Sequence, residues 1–199
     1  SEAMKRAYAD RARWLGDPSF YKVPQAGLLA KGYAAKLRKS IRIDKVSKVG
    51  HGVPKGAKES DDTTHFSVVD AAGNAGSCTT TINSSFGSGM VVGGTGFLLN
   101  NEMDDFSAKP GVPNQFGLLG GEANAIAPGK RMLSSMTPTM VLKDGKVRLV
   151  LGSPGGGRII NTVLQVLLNV VDHQLALDVA VRAPRVHRQW KPDHLFWEQ

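Results

Sequence analysis

The sequence predicts an α+β fold, a layered domain with a mostly antiparallel sheet, and three observations carry that reading. Helical periodicity marks both ends of the chain. Two segments of alternating polarity, each broken by a turn, lie between them. The stretch joining those two segments is rich in Gly, Pro, Asn and acidic residues. Strands bracketed by helices are the signature of this layered class.

From Glu2 to Leu15 the apolar positions Ala3, Met4, Ala7, Tyr8, Trp14 and Leu15, with the stem of Arg11, recur at helical spacing until Gly16-Asp17-Pro18 stops them. A second helical stretch runs from about Gln25 to Leu37, with Leu28, Leu29, Tyr33 and Leu37 on related faces. This helical pair is too small to form a core alone. Asp44 to Asp62 carries almost no apolar residues and shows neither period, so it reads as an exposed connector. At Thr63 the pattern changes. His65 to Asp70 alternates, Ala71-Ala72-Gly73-Asn74 supplies a turn, and Gly76 to Asn83 alternates again, which is a β-hairpin signal. Met140 to Leu142 and Val147 to Leu151 flank Lys143-Asp144-Gly145-Lys146 in a second hairpin. Residues 84–135 between them are long enough to hold functional loops. Ser153-Pro154-Gly155-Gly156-Gly157 then leads into an amphipathic helix over Arg158 to His173, marked by Ile159, Ile160, Val163, Leu164, Leu167, Leu168 and Val171, and Asp178 to Arg182 reads as a shorter one. There is no internal repeat.

A length of 199 residues suits one domain, and 41% hydrophobic with 21% charged residues excludes disorder throughout. The net charge of +8 would permit nucleic acid, an anionic membrane surface or acidic small molecules as partners. Much of the excess lies between Lys5 and Lys58 without the kind of aromatic interleaving that a single-strand binding groove needs, so no nucleic-acid partner is expected. The single Cys78 excludes an intrachain disulfide and is expected to be a buried thiol. The longest apolar stretch, Val163 to Val171, is interrupted by Gln165 and Asn169 and is too short to span a bilayer. No signal-peptide pattern opens the chain. His51, His65, His173, His187 and His194 show no paired metal-ligand spacing, so surface or packing roles are expected, with no metal and no cofactor.

Thr63 stands where the polar connector meets the first strand. A threonine hydroxyl is a poor nucleophile at neutral pH, but an N-terminal α-amine with a pKa near ~8 can take its proton. Cleavage between Asp62 and Thr63 would create such a residue at a strand end. The alternative is that Thr63-Thr64 simply opens a strand, and the pattern alone leaves both open.

Read together, four words change that balance: Thr63-Thr64-His65-Phe66-Ser67-Val68-Val69-Asp70, Asn100-Asn101-Glu102-Met103-Asp104-Asp105-Phe106, Pro128 to Pro138 with Ser134-Ser135, and Gly152-Ser153-Pro154-Gly155-Gly156. In this order, over nearly the whole chain, they resemble the small-subunit motifs of the γ-glutamyltranspeptidases. The resemblance implies an N-terminal nucleophile hydrolase with an αββα sandwich, made as a proenzyme that cuts itself before Thr63. Residues 1–62 would be the end of the large subunit, and 63–199 the catalytic region of the small subunit, truncated at its C-terminus. Thr63 would attack the γ-amide carbonyl of glutathione or a related compound. Water or an acceptor amine (an amino acid or peptide) would then resolve the acyl-enzyme, with the α-amine of Thr63 as base.

The same resemblance implies the remaining roles. The Thr81 hydroxyl steadies the nucleophile, and the backbone N–H groups of Gly155 and Gly156 form the oxyanion hole. Asn83, Glu102 and Asp105 receive the substrate α-ammonium, while Ser134 and Ser135 receive its α-carboxylate. The residue types suit these tasks, since anions pair with an ammonium, hydroxyls donate to a carboxylate, and glycine lets backbone approach a substrate closely. A phosphate loop at Gly155-Gly156 lacks the Gly-Lys-Ser/Thr ending. Asn83-Ser84-Ser85 also fits a glycosylation acceptor, which a substrate-contacting Asn83 would preclude. Phe116 falls where many bacterial relatives have a gating tyrosine. The family also has a long N-terminal portion, which completes the fold and supplies an arginine for the α-carboxylate, and it places the parent in the periplasm or outside the cell. Other readings are a related amidase, such as a cephalosporin (glutaryl) acylase or a poly-γ-glutamate-processing enzyme, and a non-catalytic remnant or inactive fragment that binds a partner.

Overall fold

The computed structural model describes residues 1–47 and 63–198. Most of the expected connector, with His51 and Asp62, lies outside the described residues. The chain divides into two compact units. One gathers 1–47, Met103–Ser134 and Val186–Trp197, and the other gathers 63–102, Ser135–Arg185 and Glu198.

In the first unit α1 spans Glu2–Trp14. It stops where Leu15 turns extended, followed by Gly16, whose Cβ, if present, would lie 1.9 Å from the Ala123 carbonyl oxygen. Tyr8 and Arg11 are buried as the periodicity requires, but the rest of the expected face is not: Ala3 and Ala7 are exposed, whereas Lys5 and Arg6 are buried. An ion cluster explains the exchange. Lys5 donates to the Ser47 carbonyl at 2.5 Å and pairs with Asp193. Arg188 bridges Asp193 at 2.5 Å and Glu2 at 2.9 Å, and Arg6 reaches Glu2 at 2.7 Å and the Ser47 hydroxyl at 2.8 Å. Charges leave water only when paired and hydrogen-bonded in this way. Burial pushes the Glu2 and Asp193 carboxyls up, but their cationic and hydrogen-bonding partners outweigh it, and both stay below the usual range.

The expected second helix is two helices, α2 (Gln25–Leu28) and α3 (Lys31–Lys39), separated by an extended Ala30. Gly27 and Gly32 weaken helix propensity on either side of that break. None of their residues is buried, and Leu29 is 76% exposed. The core of this unit holds Tyr8, Phe106, Phe116, Leu118 and Ala123.

The second unit contains both expected hairpins. β1 (Thr64–Val69) pairs antiparallel with β2 (Ala75–Thr80), from Thr64 opposite Thr80 to Val69 opposite Ala75. The Asp70 carboxylate closes the turn by accepting from the N–H and side-chain amide of Asn74 at 2.8 and 2.7 Å. β3 (Thr139–Lys143) and β4 (Lys146–Leu151) are joined through Asp144-Gly145, both at positive φ, the arrangement a two-residue type I′ turn demands. The hairpins meet where the hydroxyls of Ser67 and Ser77 donate to the carbonyls of Val150 (3.2 Å) and Leu151 (3.0 Å). α4 (Ile159–Val171) buries Ile159, Asn161, Val163 and Val166, and α5 (Leu177–Arg182) packs on it through the fully buried Ala180. A short pair in the first unit, β5 (Val186–His187) with β6 (Phe196–Trp197), was not legible in the sequence. The described strands form three two-stranded antiparallel sheets, in keeping with the α+β class.

Cys78 is exposed, contrary to expectation. The alternation of β2 turns Ala75, Ser77 and Thr79 inward, which leaves Cys78 on the outer face with its cross-strand partner Phe66.

Candidate active site

Thr63 is half-buried immediately before β1. The β1–β2 register, carried one step past Thr64 and Thr80, sets Thr63 against Thr81. The Thr81 hydroxyl oxygen accepts the Asn83 N–H at 2.9 Å, which tightens the exit from β2 and carries Asn83 to φ 79°. Asn83 is 4% exposed, and its side-chain amide donates to the Asn101 carbonyl at 3.1 Å. Asn101 returns the contact through Ser84, accepting its N–H at 2.9 Å and donating to its hydroxyl at 3.1 Å. A side chain so enclosed has no room for a glycan.

Gly155 (φ 124°) and Gly156 (φ 51°) occupy backbone regions that residues with a Cβ avoid. β4 decides where they lead. Val150 meets Ser67 and Gly152 meets His65, so β4 runs opposite to β1, and the residues after it advance toward the Thr63 end. The Gly155 carbonyl accepts the Arg158 N–H at 2.9 Å, and a 3-10 turn (Gly156–Arg158) feeds directly into α4. The glycine pair therefore stands at the positive end of a 13-residue helix, where developing negative charge is favoured.

Glu102 and Asp105 open and close one 3-10 turn (Glu102–Asp105). Both are half-buried, while Met103 and Asp104 between them are exposed. The Glu102 N–H donates to Asn100 Oδ1 at 3.0 Å, and the Asp105 carbonyl accepts from the Asn124 side-chain amide at 2.8 Å. Asn124 Oδ1 also accepts the Leu133 N–H at 3.0 Å, which anchors the segment running into Ser134. Ser134 is exposed and Ser135 half-buried.

Of the expected site residues, Thr63, Thr81, Asn83, Glu102, Ser135, Gly155 and Gly156 belong to the second unit, and Asp105, Phe116 and Ser134 to the first. Phe116 is 7% exposed, packed in the core of its unit, with its N–H on Asn114 Oδ1. Asp62, expected at the cleavage site, is not among the described residues. His65, expected to fill a surface or packing role, is half-buried on β1 with both ring nitrogens in hydrogen bonds, to the hydroxyls of Thr79 and Ser67. Its sequence signal was the position two residues after Thr63, which turns it to the same face. Among the described residues no group of three or more His, Cys, Asp or Glu side chains could hold a metal ion. No helix among them is long and apolar enough to cross a membrane.

A family model described as Gamma-glutamyltranspeptidase matches residues 1–199. The glutathione hydrolase proenzyme of Escherichia coli K12 is 55% identical over 201 residues, covering 100% of this chain and 35% of that protein. The acylase ACY 1 proenzyme of Pseudomonas sp. SE83 is 44% identical over 186 residues, covering 94% of the chain and 31% of the relative. Among solved structures, a γ-glutamyltranspeptidase from Pseudomonas nitroreducens, complexed with L-DON, superposes with a TM-score of 0.64 at 64% identity, covering 65% of this chain and 67% of that one. The chain thus spans about a third of the length of the curated relatives it matches.

Proposed function

The chain belongs to the γ-glutamyltranspeptidase family, and from that premise we propose that the full-length protein containing it is a γ-glutamyl hydrolase and transferase. Its substrates are glutathione and related γ-glutamyl compounds, with water or an amino-acid or peptide amine as acceptor. The protein cuts itself between Asp62 and Thr63, and the freed α-amine of Thr63 takes the proton of its own hydroxyl. The alkoxide-like oxygen adds to the γ-carbonyl, and the N–H groups of Gly155 and Gly156 take the developing negative charge. Collapse of the adduct expels the amine, which receives the proton from the α-ammonium of Thr63 and leaves an acyl-enzyme for water or the acceptor amine to resolve. Thr81 steadies the nucleophile. Asn83, Glu102 and Asp105 hold the substrate ammonium, and Ser134 and Ser135 hold its carboxylate together with an arginine from the N-terminal portion of the protein. The αββα sandwich is completed by that portion, and the enzyme works in the periplasm or outside the cell.

The observation that supports this reading is the antiparallel course of β4 beside β1, with Ser67 on Val150 and with Gly152, three residues before Gly155, against His65, two residues after Thr63. A second reading, an amidase for glutaryl-type acyl groups, is favoured by the 44% identity to the acylase proenzyme. The two differ in what the acyl group carries. Anions at Glu102 and Asp105 match an acyl chain bearing an ammonium and repel one bearing only carboxylates. Release of p-nitroaniline by the full-length protein from γ-glutamyl-p-nitroanilide and from the glutaryl analogue tests this choice. Turnover of the γ-glutamyl compound at least tenfold faster is expected. Preference for the glutaryl compound replaces the first reading with the second.

A further inference from the structure

His65 lies on β1, two residues beyond Thr63, with its ring half-buried and held at both nitrogens. Nδ1 is 2.8 Å from the hydroxyl of Thr79, its cross-strand partner, and Nε2 is 3.1 Å from the hydroxyl of Ser67. Ser67 in turn donates to the Val150 carbonyl at 3.2 Å. A carbonyl can only accept, so the Ser67 proton is committed there, and the Ser67 oxygen must accept from His65 Nε2–H. Nδ1 is then the acceptor for the Thr79 hydroxyl proton. One tautomer satisfies the whole chain from β2 through β1 to β4, and both nitrogens are engaged within the sheet.

The face of this fixed ring meets Gly152. A Cβ at Gly152 would lie 2.2 Å from both Cε1 and Nδ1 of His65 and 2.8 Å from Cγ. Ordinarily a side chain in that position could swing aside, but this one would have to break two hydrogen bonds to do so. The backbone leaving β4 is therefore seated directly on the imidazole, three residues before Gly155.

We infer that His65 is a positioning residue for the reaction assigned to Thr63. Held by Thr79 and Ser67, its ring is the surface against which Gly152 sets the Gly155-Gly156 turn relative to the nucleophile strand. The inference rests on the reading of that turn as the oxyanion hole. Misplacing hydrogen-bond donors weakens stabilisation of the transition state more than binding of the ground state, so the effect belongs in kcat and not in KM.

The test uses the full-length protein with His65→Ala, Gly152→Ala, the double variant, and His65→Asn as a milder replacement should the alanine fail to fold. With γ-glutamyl-p-nitroanilide, Gly152→Ala should lower kcat by about tenfold or more at nearly constant KM. Adding His65→Ala should recover at least about threefold, because the ring that the new methyl strikes is gone. A second readout needs no activity. In a Thr63→Ala background, where every protein is uncleaved, hydrogen exchange of backbone N–H groups over 152–158 should quicken when His65 is replaced, with β3 unchanged. Unaltered exchange there, or a double variant no faster than Gly152→Ala, overturns the inference. A wild-type protein that releases no p-nitroaniline overturns the Thr63 reading instead, and the exchange result still decides the position of the loop.

Discussion

Asp17 accepts four hydrogen bonds, from the N–H of Ser19 and from the backbone N–H, Nε and Nη2 of Arg131, all between 2.9 and 3.0 Å. The Arg131 side chain, then the two N–H groups, hold its carboxyl well below the ordinary value of 3.8. A carboxyl that is harder to protonate folded than unfolded contributes stability above its unfolded pKa and loses it as pH falls through the folded one. Asp17→Asn should therefore unfold at a lower temperature than wild type, by a constant margin above about pH 5, and the margin should close as pH falls below 3.8. Melting curves from neutral to acid pH check it. Glu2 and Asp193 are shifted in the same direction, so some acid sensitivity should survive in the variant. At the candidate site, Asp105→Ala removes an anion assigned to the substrate ammonium. A charged hydrogen bond lost from a half-buried position costs about 2–3 kcal/mol, or about 30- to 150-fold in kcat/KM, in a folded and processed enzyme. Unchanged kinetics would take Asp105 out of the site.

Among the elements, the hairpins were the most legible because their information is local. Alternation fixed both strand pairs, and Asp144-Gly145 is a turn that almost specifies itself. α1 was legible as a helix but not as a face. What turns Lys5 inward is Asp193, 188 positions along the chain, and what turns Arg6 inward are Ser40 and Ser47 beside Glu2, so no window around α1 contains these partners. β5 and β6 escaped for a related reason, since two-residue strands carry no period. Cys78 was misplaced because burial is usual for a free thiol, whereas here the parity of β2 decides. The four family words were legible as words, and the family match bears the recognition out, while the link from His65 to Gly152 appears only when β1 and β4 lie together. The ion cluster gives the element-scale prediction. Lys5→Met leaves Asp193 with Arg188 but removes its second cation, and breaking a buried pair whose acid is a third exposed should cost about 2–3 kcal/mol, read from chemical denaturation. Gly16→Ala should be worse for α1, because the new methyl would meet a backbone carbonyl that cannot turn away.

For the whole molecule, large apolar side chains are left in water on both units: Leu29 and Phe20 on the first, and Phe66, Phe86, Phe97, Val68 and Leu142 on the second, each at least half exposed. Exposed apolar area of this extent marks surfaces that other polypeptide covers. Residues 1–199 expressed alone should accordingly bind a hydrophobic dye and self-associate, whereas the full-length protein, about three times as long by its relatives, should do neither. Size-exclusion chromatography with dye fluorescence checks this. In the proposed mechanism Thr63 is a nucleophile made available by cutting its own peptide bond. Intact-mass measurement of the freshly purified full-length protein, beside its Thr63→Ala variant, tests it most directly. The wild type should give two polypeptides whose masses place the break between Asp62 and Thr63, and the variant should give one uncut chain. Two polypeptides from Thr63→Ala in a protease-free preparation, or a break at any other bond in the wild type, would contradict it.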